Sequence, residues 1–221
     1  MSTLLLRFAA PLQAWGTESK YDIRKTDREP SKSGIVGFLA AALGRKRDES
    51  VEDLNALRVG VRADQEGEII QDFHMVHKDE KTSYLTRRYY LSDAVFVVGV
   101  ESEDDAVLQK LVDAVKNPVF PLFLGRRSCP PCGPIVLGIR EFDLETALDK
   151  EPWQIPEWRR KRETSVPCLR KVIESDSGGV VRKDRAISFS PYHREYGYRG
   201  VKESLCCPQL TETTHDPMVE L

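Results

Sequence analysis

The spacing of apolar positions divides the first two thirds of the chain into alternating strands and helices. Apolar runs predict buried strands at residues 3–8, 59–63, 94–100 and 135–139. Apolar residues recur at helical spacing over residues 34–43 and 103–116, which predicts a packed helix after the first strand and another after the third. Strand, helix, strand, strand, helix and strand in this order predict an α+β protein of the ferredoxin-like kind.

A protruding hairpin is predicted between the second and third of these strands. Strand-like segments at residues 69–76 and 84–91 flank a polar tip. Both arms interleave basic and aromatic residues, which suits single-stranded RNA because rings stack on bases and guanidinium groups hold phosphates. These residues are His74, His77, Tyr84, Arg87, Arg88, Tyr89 and Tyr90. The alternative is an exposed hairpin whose charges keep its strand edges soluble.

The composition changes after residue 149. A segment rich in Pro, Trp and Arg is followed by short strand signals at residues 180–182, 186–189 and 195–199. We therefore expect one domain over residues 1–149, with the hairpin at about 69–92. A smaller β-rich region over residues 150–221 is expected to pack on that domain.

The start of the helix predicted near residue 34 is polar and basic. Ser31 or Ser33 can cap its free N–H groups, and Lys32 lies between them. Further cations lie upstream at Arg24, Lys25 and Arg28. Because N–H groups, hydroxyls and cations converge at the positive end of the helix dipole, this start is a candidate phosphate site. An ordinary capped helix with solvated basic residues explains the same pattern.

Residues 118–132 are rich in proline, which excludes a helix and predicts a defined loop. At its centre, Gly125, Arg126, Arg127 and Ser128 offer backbone N–H groups, two guanidinium groups and a hydroxyl. This set suits a bent phosphate backbone. A solvated turn is the alternative.

The net charge of −2 over 221 residues conceals separate acidic and basic clusters. A local basic track is enough for nucleic-acid binding, whereas a protein that coats nucleic acid through bulk charge is excluded. The basic cluster at residues 159–162 suits either RNA or a neighbouring subunit. The apolar runs are far shorter than a membrane span, and no signal pattern opens the chain, so we expect a cytoplasmic protein with no membrane partner.

The cysteines and histidines give little support to a metal site or a cofactor. Five cysteines are not spaced as a disulfide framework, so reduced thiols are expected. Cys129 and Cys132 enclose two prolines, and no second C-x-x-C follows. On a strand, His74 and His77 would point to opposite faces. One of them, with Tyr84 or Lys81, would suit metal-free RNA cleavage, in which a base takes the 2′-hydroxyl proton and a cation stabilises the phosphorane.

Five segments in a fixed order together resemble the CasD family, the type I-E CRISPR Cascade subunits of the repeat-associated (RAMP) superfamily. The segments are FAAPLQAWG at 8–16, PSKSGIVG at 30–37, DFH at 72–74, YLSDA at 90–94 and LGRRSCP at 124–130. The resemblance implies a ferredoxin-like (RRM-like) RAMP domain with a hairpin thumb and a β-rich C-terminal part. It also implies a subunit that binds the 5′ handle of the CRISPR RNA and caps one end of the Cascade backbone.

The resemblance also implies partners and site residues. The partners would be backbone subunits of the CasC type, the large subunit of the CasA type and, only through the complex, target DNA. The phosphate-binding residues would be Gln13, Trp15, Arg24, Arg28, Lys32, Ser33, Arg126, Arg127 and Ser128. The RNA-binding residues of the thumb would be His74, Arg87 and Arg88.

The same resemblance bears on catalysis. In type I-E systems a separate subunit cleaves the repeat, so this chain would be non-catalytic. In the related type I-C systems the equivalent subunit is itself the ribonuclease. The alternative function is therefore a metal-independent endoribonuclease that uses His74, His77, Tyr84 and Lys81.

Overall fold

A computed structural model describes residues 1–16, 22–77, 79, 82–162 and 167–208. Lys81, one of the candidate catalytic residues, lies outside the described residues. The strands are β1 (Ser2–Ala9), β2 (Leu12–Gln13), β3 (Ile23–Arg24), β4 (Arg58–Gln65), β5 (Glu68–His77), β6 (Ser83–Ser92), β7 (Val95–Ser102), β8 (Val136–Arg140), β9 (Leu169–Glu174), β10 (Val180–Phe189) and β11 (Arg194–Cys206). The helices are α1 (Lys32–Ala42), α2 (Glu52–Ala56), α3 (Asp105–Lys116), α4 (Leu144–Lys150) and α5 (Glu157–Arg160). The described chain is thus a mixed α+β protein, as predicted.

Seven strands form one antiparallel sheet in the order β10-β11-β9-β4-β7-β1-β8. The apolar runs of β1 and β7 lie side by side near its centre, where Leu4 pairs with Val100 and Phe8 with Phe96. Both strands are apolar at successive positions because both faces of the sheet are covered. Residues of α1 and α3 join the main core on one face. Leu144 and Leu148 of α4 pack with Leu5 on the other.

The C-terminal strands continue this sheet. β9 pairs with β4, where Gly60 lies opposite Ile173, and β11 pairs with β9. The sequence pattern did not predict β9, because charged residues interrupt its apolar positions. One of them, Lys171, is buried and forms an ion pair with Asp149 at 2.5 Å. The division of the chain at residue 149 stays a prediction.

A smaller sheet carries the hairpin. Its arms β5 and β6 pair antiparallel, with His74 opposite Thr86. β2 and the two-residue strand β3 flank β6, and β3 runs parallel to it with Arg24 opposite Arg88. The strand arms thus occupy the positions that the sequence pattern predicted, and each extends slightly beyond them. This sheet brings the basic residues upstream of α1 next to the hairpin.

Helix α1 lies against the core through Ile35, Phe38 and Leu39. Ser31 caps it, since its side chain accepts a hydrogen bond from the N–H of Gly34 at 3.2 Å. A Cβ atom at Gly34 would lie 2.8 Å from the Trp15 ring, so the small residue permits the close contact between the helix and Trp15. None of the described helices is long and apolar enough to span a membrane.

Candidate nucleic-acid interface

The loop at residues 124–129 is held in one conformation by backbone hydrogen bonds. The N–H of Leu124 donates to Cys129 O at 2.7 Å, and the N–H of Ala14 donates to Leu124 O at 3.2 Å. Gly125 has φ +86°, and a Cβ atom there would lie 1.6 Å from Ala14 O, so this position requires glycine. The loop therefore closes onto residue 14 and presents Arg127 and Ser128 to solvent.

Arg126 links this loop to the smaller sheet. Its Nη2 donates to Arg24 O at 2.9 Å, and its guanidinium carbon lies 4.5 Å from the centre of the Tyr90 ring. Tyr90 is buried on β6, so Arg126 stacks on a fixed ring. The side chain is half-buried, and it positions the loop as well as carrying charge.

Three segments that are far apart in sequence thus form one basic surface, which we call the arginine surface. It consists of Arg24 on β3, Arg88 on β6, and Arg126, Arg127 and Ser128 on the loop. Arg88 Nε and Arg126 Nη1 are shielded from solvent and have no hydrogen-bond partner among the described residues. Because these two nitrogens are shielded, the side chains of this surface that solvent reaches most are those of Arg24, Arg127 and Ser128.

Arg87 lies on the other face of the hairpin, because neighbouring residues of a strand point to opposite sides. It shares that face with exposed apolar side chains. These are Phe73, which is 58% exposed, Met75, which is 64% exposed, and Leu85, which is 47% exposed. The two predicted thumb arginines therefore serve different surfaces.

Protein groups already engage the start of α1, the predicted phosphate site. The N–H of Lys32 donates to Asp184 Oδ2 at 2.8 Å, so a carboxylate of β10 already occupies the positive end of the helix. Arg199 holds that carboxylate in a bidentate pair at 2.7 and 2.8 Å. Burial acts to raise the pKa of Asp184, but the hydrogen bonds and charge of Arg199 outweigh it and lower that pKa.

Lys32 itself is 2% exposed, and its ammonium donates to both oxygens of Glu174 at 2.8 and 2.7 Å. Burial lowers the pKa of Lys32, although Glu174 favours its charged form. In this structure the Lys32 ammonium is engaged by Glu174, so phosphate binding by Lys32 stays a prediction. Ser33 is half-buried, with its Oγ 3.3 Å from that of Ser31, so it too lies within the capped helix start.

Gln13 and Trp15 are buried in the core of this structure, and their predicted contact with RNA stays a prediction. Gln13 is fully buried, and its Nε2 donates to Ala94 O at 2.7 Å. Its Oε1 accepts from Trp15 Nε1 at 3.1 Å. Trp15 is 1% exposed and stacks on Phe8, with ring centres 5.7 Å apart. Gln13 and Trp15 thus flank Ala14, the residue onto which the loop at residues 124–129 closes.

Arg28 is exposed and lies at a cleft of about 820 Å³ near β10. The cleft is lined by acids that hold its arginines. Glu29 pairs with Arg170 at 2.8 Å and with Arg182, while Arg28 lies 3.7 Å from Glu66. Because each of these cations has a carboxylate partner, the cleft is a weaker phosphate site than the arginine surface.

The three candidate catalytic residues that the structure describes do not share one face of the hairpin. His77 lies opposite Ser83, and its Nδ1 is 2.8 Å from that hydroxyl. His74 lies on the other face of the hairpin, as the strand period predicts, with its Nε2 2.5 Å from Asp72 Oδ2. Tyr84 shares the His74 face. Among the described residues, no group of three or more His, Cys, Asp or Glu is arranged to hold a metal ion.

Sequence reasoning missed the ion pairs that hold the start of α1. Asp184 lies within the basic segment 182–185, and its buried carboxylate pairs with Arg199. Glu29, which is 5% exposed and lies directly before the helix, pairs with Arg170 and Arg182. A buried acid beside basic residues is the signal that could have pointed to these structural ion pairs.

The fold defines the class of protein. The described chain has a large antiparallel sheet with few helices, and this fold matches solved Cas proteins. One crystal structure of a Cas protein is 41% identical and superimposes with a TM-score of 0.74 over 93% of this chain and 95% of that chain. A chain of a CRISPR RNA-guided surveillance complex is 29% identical, with a TM-score of 0.79 over 93% of this chain and 90% of that chain.

The family model described as CRISPR-associated protein (Cas_Cas5) matches residues 3–202, and the chain belongs to this family. It is 36% identical to the CRISPR system Cascade subunit CasD of Escherichia coli (strain K12) in an alignment of 161 residues. The alignment covers 62% of this chain and 70% of that protein. The predicted resemblance to CasD, a type I-E subunit, is thus confirmed.

Proposed function

We propose that this chain is a subunit of a type I-E CRISPR surveillance complex in antiviral defence. In this role it binds the 5′ handle of the CRISPR RNA and caps one end of the backbone. The Cas5 family match and the similarity to CasD support membership of such a complex. The structural similarity to a chain of an RNA-guided surveillance complex supports the same assignment.

The observation that carries RNA binding is the arginine surface. Arg24 and Arg127 are exposed, and Asp72, which lies opposite Arg88 on β5, contacts His74. Arg88 and Arg126 each have a shielded nitrogen without a protein partner among the described residues. Planar guanidinium groups on both a sheet and a rigid loop suit a bent backbone whose phosphates point in different directions.

The proposal also gives roles to the larger units of the fold. The strand order β4-β7-β1-β8, with α1 and α3 as the connecting helices, supports a ferredoxin-like RAMP domain over residues 1–149. The hairpin of β5 and β6 would be its thumb, and its His74 face continues towards Arg88. Residues 150–221 would form the β-rich region that packs on this domain.

Contacts with other subunits would use the opposite face of the thumb. Phe73, Met75 and Leu85 leave apolar area exposed there, which is typical of a protein–protein contact. In the proposed complex, the partners are the backbone subunits of the CasC type and the large subunit of the CasA type. Target DNA is reached only through the complex.

We assign no catalytic step to the chain. His77 lies on the opposite face from His74 and Tyr84, so the three described candidates do not share a face, and a base and an acid on one phosphate must do so. In addition, His74 Nε2 lies 2.5 Å from Asp72 Oδ2, so the His74 imidazole already has a partner within the protein.

The experiment is an incubation of the purified chain with end-labelled CRISPR repeat RNA in the presence of a chelator, resolved on native and denaturing gels. We expect a retarded band that depends on the 5′-handle segment, and no new fragment. A specific cut that disappears in His74→Ala would establish the ribonuclease instead. Absence of any retarded band would contradict handle binding by this chain.

A further inference from the structure

Two exposed cysteines face each other at the end of the strand pair β9 and β11. In this ladder Leu169 lies opposite Cys206, so the next position places Cys168 opposite Cys207. Their Sγ atoms lie 2.6 Å apart, and both residues are exposed and carry free thiols. Directly opposed residues of an antiparallel pair have Cα atoms about 4.5–5.5 Å apart, within the range that a disulfide spans.

We propose that Cys168 and Cys207 form a reversible disulfide by exchange with a small-molecule disulfide. The thiolate of one cysteine attacks a sulfur of the small disulfide, which forms a mixed disulfide and releases one thiol. The second thiolate then attacks the protein sulfur of that mixed disulfide, which forms the Sγ–Sγ bond and releases the second thiol. The two cysteines lose two protons and two electrons, and the small disulfide gains them.

The other cysteines have different surroundings. Cys206 neighbours Cys207 in sequence but is 9% exposed, and burial raises the pKa of its thiol to about 11. Cys129 is buried as well, and burial raises the pKa of its thiol. Cys132 is exposed, and its N–H donates to Ala9 O of β1 at 2.7 Å. The chain thus provides one opposed pair and three internal controls.

The bond would join the first end of β9 to the last end of β11, six residues from Glu174 and eight from Arg199 along these strands. β9 carries Glu174, which holds Lys32, and Arg170, which holds Glu29. β11 carries Arg199, which holds Asp184. Oxidation would therefore restrict separation of the strands that fix the helix start. Cross-links in cytosolic proteins are commonly transient and redox-sensing, which fits a reversible bond.

The test equilibrates the reduced full chain in glutathione buffers of increasing oxidised fraction, then counts free thiols with a mass-tagged maleimide. We expect the count to fall from five to three, with one peptide pair joined through Cys168 and Cys207 after digestion without reductant. The oxidised chain should melt roughly 5–10 °C higher, because the bond closes a long loop. Dithiothreitol should reverse both changes.

Matched variants distinguish the Cys168–Cys207 disulfide from oxidation at the other cysteines. Cys168→Ser and Cys207→Ser should each keep four reactive thiols in the oxidised buffer and show no rise in melting temperature. Cys206→Ser and Cys132→Ser should still lose two thiols. Five free thiols across the whole range would overturn the proposal, as would a bond between Cys206 and Cys207 or a dimer joined through Cys132.

Discussion

Replacing Lys32 with methionine distinguishes a structural lysine from a phosphate ligand. The change keeps the length of the side chain and removes the ammonium, which leaves the carboxylate of Glu174 without its cation. Removing one partner of a buried ion pair costs about 3–5 kcal/mol. Glu174 is 16% exposed and keeps a hydrogen bond from the N–H of Val59 at 3.2 Å, so we expect the lower end, about 3 kcal/mol.

Urea unfolding measures this loss, and thermal unfolding gives a second reading. For a chain of this size a loss of about 3 kcal/mol lowers the melting temperature by roughly 6–12 °C. The double variant Lys32→Met with Glu174→Gln should recover part of the stability, because neither charge is then left unpaired. Below its melting temperature, the folded Lys32→Met protein should bind handle RNA within about twofold of wild type, since the ammonium is shielded.

The opposite pattern would refute this reasoning. If Lys32→Met keeps wild-type stability within about 0.5 kcal/mol and loses most of its RNA affinity, the ammonium contacts phosphate in solution. The ion pair with Glu174 would then not describe the state that binds RNA.

Three further changes test the supports of the site. Gly125→Ala should lower the free energy of unfolding, measured in urea, by about 1–3 kcal/mol and weaken RNA binding, because its Cβ would meet Ala14 O. The control is Gly178→Ala, at φ +74° with nothing within 4 Å of the added Cβ. It should lower the free energy of unfolding by only about 1 kcal/mol and leave RNA binding unchanged. Trp15→Phe should cost about 1–3 kcal/mol by leaving Gln13 Oε1 unpaired, with unchanged RNA affinity of the folded protein. The lowered pKa of Asp184 adds folding stability that is present above its ordinary pKa and is lost as the pH falls through the lowered pKa. Asp184→Asn should therefore be less stable than wild type at neutral pH. In an acid titration it should lose less stability than wild type below about pH 4.

The strands and helices were predictable because their signals are local. The apolar run at residues 94–100 became β7, and the helical spacing after it became α3. The observed helix begins at Asp105 rather than 103, because Asp104 caps it by accepting from the N–H of Ala106 at 2.8 Å. β9 escaped prediction because its buried Lys171 depends on Asp149, which no local pattern reveals.

The site was predictable only in part. The loop at 124–129 carries its own signal, since a glycine before two arginines indicates a fixed turn with charges at its tip. The burial of Lys32 was not predictable, because a cation at a helix start looks the same whether it meets a phosphate or Glu174, 142 residues away. The burial of Trp15 was not predictable for a similar reason, because a ring that packs against Gly34 and a ring that stacks on a base follow the same local sequence.

The salt dependence of handle-RNA binding tests the central claim most directly. Each phosphate contact on single-stranded nucleic acid contributes about 0.7 to the slope of log K against log salt concentration. Arg24→Ala with Arg127→Ala should therefore reduce that slope by about 1.4, while the exposed Arg47→Ala, at the other end of α1, should leave it unchanged. An unchanged slope in the double variant would contradict the assignment of the arginine surface as the RNA-binding site.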